Sequence, residues 1–194
     1  MPPPMTERVP ARVVGATVVG NALEFYDFLT YAFFAVYIGK TFFPVTDPLS
    51  SLLLSVALFG IGFFTRPLGG IVIGAYADRA GRRAAMILTI ALITLGTLGL
   101  VLTPSYASIG VAAPIIVVAC RLVQGLALGG EVGPSTAFLI EAAPHGGRGR
   151  LASWQLASQG AAALVAGMFG LVMAATLSQA DMLAWGWRVP FAVG

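Results

Sequence analysis

The sequence predicts an all-α, polytopic membrane protein, and three observations carry that prediction. Of its 194 residues 58% are hydrophobic and 10% charged, where a soluble domain has about 25% charged. Mean hydropathy is +0.89. The apolar residues also run in blocks of about twenty or longer, the length a helix needs to cross a hydrocarbon core roughly 30 Å thick. The same composition excludes a disordered chain, which needs low hydrophobicity and high charge.

Hydropathy and turn signals place five full spans at 13–38, 50–76, 84–103, 113–141 and 151–177, preceded by a tail over 1–12. Turn-rich stretches separate them, among them Phe43 to Pro48, Asp78 to Arg83, Thr103-Pro104-Ser105, Pro144 to Arg150 and Ser178 to Asp181. A sixth apolar block opens at Trp185-Gly-Trp-Arg-Val-Pro-Phe and stops at Gly194, about ten residues into a helix that needs about twenty. The first block carries Glu24 and Asp27 and no A-x-A cleavage site, so a cleaved signal peptide is not expected.

Basic residues set the expected orientation. Arg8, Arg12, Arg79, Arg82, Arg83, Arg148 and Arg150 fall on one side, and Lys40 and Arg188 on the other, which puts the N-terminus in the cytoplasm of a bacterial-type inner membrane. No basic stripe with base-stacking aromatics accompanies the net charge of +3, so no nucleic-acid partner is expected. Cys120 is the single cysteine; its flanks are apolar and point to inert packing.

Five charges lie inside apolar spans: Glu24, Asp27, Arg66, Arg121 and Glu131. Each costs roughly 2.5–3.5 kcal/mol at mid-bilayer, and together, facing lipid, they would cost on the order of 12–17 kcal/mol. That sum matches the whole stability of a folded domain, so these groups must face one another or a cavity. On the first span Asn21, Glu24, Asp27 and Tyr31 fall within roughly 120°. On the fourth, Arg121, Gln124, Leu128, Glu131 and Ser135 share roughly an 80° arc, beside a seam of Gly125, Gly129 and Gly133.

Chemistry divides the set. A guanidinium grips a carboxylate through two parallel hydrogen bonds, making Arg121 and Arg66 candidate anion ligands, with Gln124, Asn21 and Tyr31 completing the substrate-lining set. Carboxylic acids held in an apolar site are candidate proton carriers, here Glu24 and Asp27 with Glu131 in reserve. Static pairing of these charges to fix helix register is the alternative. His145, beside two glycines in a loop, is read as solvated.

Other signals are structural. Gly70-Ile-Val-Ile-Gly74 and the fourth-span glycines read as close helix packing. Trp154, Trp185 and Trp187, near span ends, read as interface anchors. Gly39-Lys40-Thr41 lacks the glycine that a phosphate loop needs six residues before its lysine, where Phe34 stands. Neither H-E-x-x-H nor G-x-S-x-G occurs, so no enzyme chemistry, metal or cofactor is expected.

Gly74-Ala-Tyr-Ala-Asp78-Arg79-Ala-Gly81-Arg82-Arg83, in the loop after the second span, resembles the G-x-x-x-D-R-x-G-R-R signature of the major facilitator superfamily, and Arg121-Leu-Val-Gln124-Gly125 is similar to its R-x-x-Q-G pattern. Asn21-Ala-Leu-Glu24-Phe-Tyr-Asp27-Phe, Thr65-Arg66-Pro67-Leu68-Gly69-Gly70, Gly129-Gly130-Glu131, Ser153-Trp154-Gln155 and Trp185-Gly-Trp-Arg-Val-Pro-Phe resemble the metabolite:proton symporter family. The resemblance runs from about Val13 to Gly194, and Tyr37-Ile-Gly-Lys-Thr-Phe-Phe-Pro44 looks most like its citrate branch.

What the resemblance implies is a proton-coupled symporter that imports a small organic anion, citrate or another di- or tricarboxylate, by alternating access. Proline or betaine is the alternative cargo, and a non-transporting membrane interaction protein the alternative of another class. Asp78, Arg79, Arg82 and Arg83, with Gly74 and Gly81, would form the cytoplasmic gating network. Members have twelve helices, so the chain is expected to be the N-terminal half, with a C-terminal six-helix half as its missing partner.

Overall fold

The computed structural model describes residues 11–45, 47–141 and 148–194, and among them the regular structure is entirely helical. Five long helices follow in order: α1 (Ala11–Phe42), α2 (Pro48–Ala80), α3 (Arg82–Leu102), α5 (Ala112–Glu141) and α6 (Arg148–Thr176). Short helices α4 (Tyr106–Ile109) and α7 (Gln179–Ala184) occupy connections, and a 3-10 turn at Gly186–Arg188 leads into α8 (Val189–Val193). The sixth block thus becomes helical only after the Trp-Gly-Trp-Arg turn. Arg8, His145 and most of the N-terminal tail lie outside the described residues, as do the side chains of Arg82, Glu131 and Ser135.

Local chemistry sets the boundaries. Asp47 caps α2: its carboxylate accepts from the Leu49 and Ser50 backbone N–H groups, and Pro48 takes the first position, where no N–H is missed. Gly81 separates α2 from α3 at φ +91°, a conformation an L side chain rarely adopts. Thr103 and Pro104 end α3, with Thr103 Oγ1 donating to the Gly99 carbonyl.

Among the described residues four helices are long and apolar enough to cross a membrane: Leu49–Ala80, Arg83–Leu102, Ala112–Gly130 and Ala152–Thr176. α1 matches them in length but carries Asn21, Glu24 and Asp27, which turn inward. Apolar side chains such as Phe64, Leu164 and Leu171 point outward, 81%, 70% and 71% exposed, as expected of surfaces solvated by lipid.

α2 and α5 pack most closely. A Cβ at Gly125 would strike the Gly62 carbonyl, one at Gly129 the Arg66 carbonyl, and one at Gly69 the Leu126 backbone, so the two backbones touch. The α2 side of this seam is Gly62 to Gly69; Gly74, read from the sequence as part of a packing pair, borders open space. The largest core cluster gathers Tyr31, Phe34, Ile38, Phe42, Leu100 and Trp187. Trp154 and Trp185 are exposed as anchors should be, but Trp187 is fully buried. The 3-10 turn folds its ring against Phe42 and Phe191 edge-on, making it a core plug.

Candidate functional site

Asp27 of α1 meets α3 and α5 at the centre of the bundle. Thr97 Oγ1 donates to Asp27 Oδ1 at 3.2 Å, and Gln124 Nε2 donates to Asp27 Oδ2 at 3.1 Å and to Thr97 Oγ1 at 2.8 Å. A terminal nitrogen of Arg121 lies 3.9 Å from Asp27 Oδ2, beyond hydrogen-bond length. Arg121 is 6% exposed, with its guanidinium 3.7 Å from the centre of the Tyr31 ring. Its Nε and Nη2, and Gln124 Oε1, are buried without a hydrogen-bond partner. Buried donors left in this state cost about 1–3 kcal/mol each, so the guanidinium is poised for an acceptor.

Tyr31 is the platform beneath that arginine. Its hydroxyl donates to the Ser55 carbonyl at 3.1 Å, and its ring stacks on Phe59 with centroids 5.5 Å apart. Arg66 of α2 lies over Phe63 at 4.3 Å and Phe28 at 5.2 Å, contacts that substitute for some of its lost hydration. Glu24 is buried one turn before Asp27 on the same helix. Both of these intramembrane arginines are held on aromatic faces, and Arg121 also faces an α1 carboxylate.

The predicted residues divide between two surfaces and a clasp. Arg66, Arg121 and Gln124 line one cleft with Phe28, Phe63 and Leu128; its volume is about 20 Å³, room for one water, so these residues form a wall more than an enclosure. Glu24 and Asp27 border a second cavity of about 310 Å³, beside Thr94 and Thr97 of α3. Asn21 belongs to neither: its amide donates to Ser158 Oγ at 2.8 Å and to the Gln155 carbonyl at 3.3 Å, clasping α1 to α6. The side chain of Glu131 lies outside the described residues.

Sequence reasoning missed Thr97, Phe28 and Phe63. The first is a hydroxyl on an apolar helix and the others are aromatics among many, so none carried a charge signal. Asp78, Arg79 and Arg83 are exposed around the Gly81 turn. Among the described residues no three His, Cys, Asp or Glu side chains form a metal-binding group.

Buried charges on the inner faces of an otherwise apolar bundle mark a functional site within the membrane, and comparison with known proteins decides the family. The family model for sugar (and other) transporters matches residues 13–194. The chain belongs to that family. It is therefore a multi-pass membrane protein with the N-terminal fold of a major facilitator. The same fold is seen in a solved structure of XylE, a major facilitator superfamily proton:xylose symporter, which superposes with a TM-score of 0.81 at 19% identity, covering 93% of this chain and 41% of that one.

Closer sequence relatives are also transporters. A citrate-proton symporter of Salmonella typhi is 46% identical over 90% of this chain and 40% of its own. A proline/betaine transporter of Escherichia coli is 38% identical over 93% and 36%. The chain thus spans about two fifths of the length of these curated relatives.

Proposed function

We propose that this chain forms the N-terminal half of a proton-coupled symporter that imports a small organic anion, citrate or another di- or tricarboxylate, through a cytoplasmic (inner) membrane with its N-terminus inside. The observation that carries the reading is the Asp27–Arg121 pair. Arg121 is buried, keeps unpaired donors, and faces Asp27 at 3.9 Å without a direct hydrogen bond. With Asp27 ionised, its charge competes for the guanidinium. A proton on Asp27 removes that competitor and leaves Arg121 to grip a substrate carboxylate through its fork. Arg66, buried at its Nε without a partner and held on Phe63 and Phe28, offers a second carboxylate ligand, with Glu24 as a second proton carrier.

Alternating access then needs a second wall. Arg66 and Arg121 would face the cleft between two six-helix halves, and Asp78, Arg79, Arg82 and Arg83 would hold the halves together at the cytoplasmic end. Gly74 leaves room for a partner to approach there.

A second reading, a proline or betaine carrier, draws support from the proline/betaine relatives. A quaternary ammonium seeks free aromatic faces. Here the Tyr31 ring is fully buried against Arg121 and Phe59, and Phe28 and Phe63 lie against Arg66. This occupancy supports the anion.

The test is uptake of labelled citrate by proteoliposomes of the protein as its gene encodes it, driven by an inward proton gradient. Competition by unlabelled citrate and none by betaine is expected. Competition by betaine alone would move the assignment to the osmolyte branch. No uptake and no substrate-dependent thermal shift would support the interaction-protein alternative.

A further inference from the structure

The end of the bundle away from the Gly81 turn carries a second basic site. Three connections converge there: the end of α1 with the loop to α2, the loop from α3 to α5, and α7 with the 3-10 turn. Between them lies a cleft of about 780 Å³ whose polar lining includes Lys40, Thr41, Ser105, Tyr106, Ser108 and Arg188. Among the described residues no carboxylate lines it, and neither Lys40 nor Arg188 is ion-paired. Arg188 is half-buried, stacks on Trp187, and gives two N–H groups to the carbonyls of Thr103 at 2.8 Å and Ala184 at 3.4 Å. Its Nε–H is buried without a partner. The carbonyls fix the guanidinium in place but leave its charge uncompensated.

The donors define the ligand. An ammonium and a guanidinium with surrounding hydroxyls offer many N–H and O–H groups, which suits a group whose oxygens only accept. Depth narrows it further, because Trp185, half-exposed beside Arg188, is of the residue type that sits at the level of lipid headgroups. We propose that this cleft binds a phosphate group through Lys40 and Arg188, supplied by an anionic lipid headgroup or by free phosphate. The site is separate from the arginine cleft and does not depend on the transport reading. It also gives Lys40 a role that its poor match to a phosphate-binding loop does not.

The test uses the protein as its gene encodes it, purified in detergent. One arm titrates phosphatidylglycerol against zwitterionic phosphatidylcholine and counts retained lipids by native mass spectrometry. The other measures the melting shift in inorganic phosphate against chloride at equal ionic strength. Wild type is expected to respond in at least one arm, Lys40→Gln to respond about fivefold more weakly, and Lys40→Arg to recover. Response to phosphatidylglycerol alone identifies a lipid site, and response to inorganic phosphate identifies a free-anion site. Lys40 is exposed, so unchanged melting of Lys40→Gln without anion is expected to certify its fold, and Arg188→Lys provides a second variant. Equal responses from wild type, Lys40→Gln and Arg188→Lys in both arms would overturn the proposal.

Discussion

Arg121 and Asp27 face each other at 3.9 Å while both oxygens of Asp27 accept hydrogen bonds from other side chains, Thr97 and Gln124. The ion pair is thus held apart by its own supports. Arg121→Ala is expected to reduce uptake to background with expression unchanged. Arg121→Lys keeps the charge but loses the fork and the Tyr31 stacking, and should lose about tenfold or more in affinity. Normal uptake by Arg121→Ala in proteoliposomes would remove it from the substrate site.

Asp27→Asn retains a group able to bond Thr97 and Gln124 but cannot carry a proton. Exchange of substrate down its own gradient should persist, while accumulation driven by pH should vanish. Glu24→Gln tests the second carboxylate in the same way. If the variant neutral at Glu24, Asp27 and Glu131 still concentrated substrate against a gradient, proton coupling through these residues would be wrong.

Gly69, Gly125 and Gly129 of the α2–α5 seam should tolerate nothing larger. Gly129→Ala drives a methyl into the Arg66 backbone and is expected to destabilise by about 1–3 kcal/mol, read as a lower melting temperature in detergent. Gly74→Ala meets open space and should melt like wild type, so any transport defect it shows would report on an approaching partner surface. A Gly129→Ala protein of undiminished stability would contradict the seam.

Asp47 lies outside the membrane and its carboxylate is held below the usual range by the Ser50 hydroxyl and the backbone N–H groups of Ser50 and Leu49. A depressed carboxylate stabilises the fold above its unfolded value and loses that contribution as pH falls through the folded one. Hydrogen exchange in the first turn of α2 should therefore accelerate, relative to its intrinsic rate, below about pH 4. Asp47→Asn, an equally good cap, should abolish that pH dependence; its persistence would place the effect elsewhere.

The helices and the inward charges were legible because both follow from cost: twenty apolar residues span a bilayer, and Arg121 or Asp27 cannot face its lipid. Partner choice was not. Asn21 shares a stripe with Glu24 and Asp27, yet its amide is spent on α6, while the Tyr31 hydroxyl is spent on Ser55. Periodicity gives direction around one helix and says nothing of what the neighbouring helix presents. Trp187 failed for a related reason, since an anchor and a plug occupy the same place in sequence and differ only in how the turn after Trp185 folds.

The seam between α2 and α5 has a metrical consequence. Arg66 contributes its own carbonyl to the contact with Gly129, and the Arg121 carbonyl faces Gly62. Both guanidiniums are therefore rooted where backbone meets backbone, with no intervening side chain to yield. The separation of the two arginine backbones is therefore fixed, and under the proposed function it would set which spacing of carboxylates the two side chains can span.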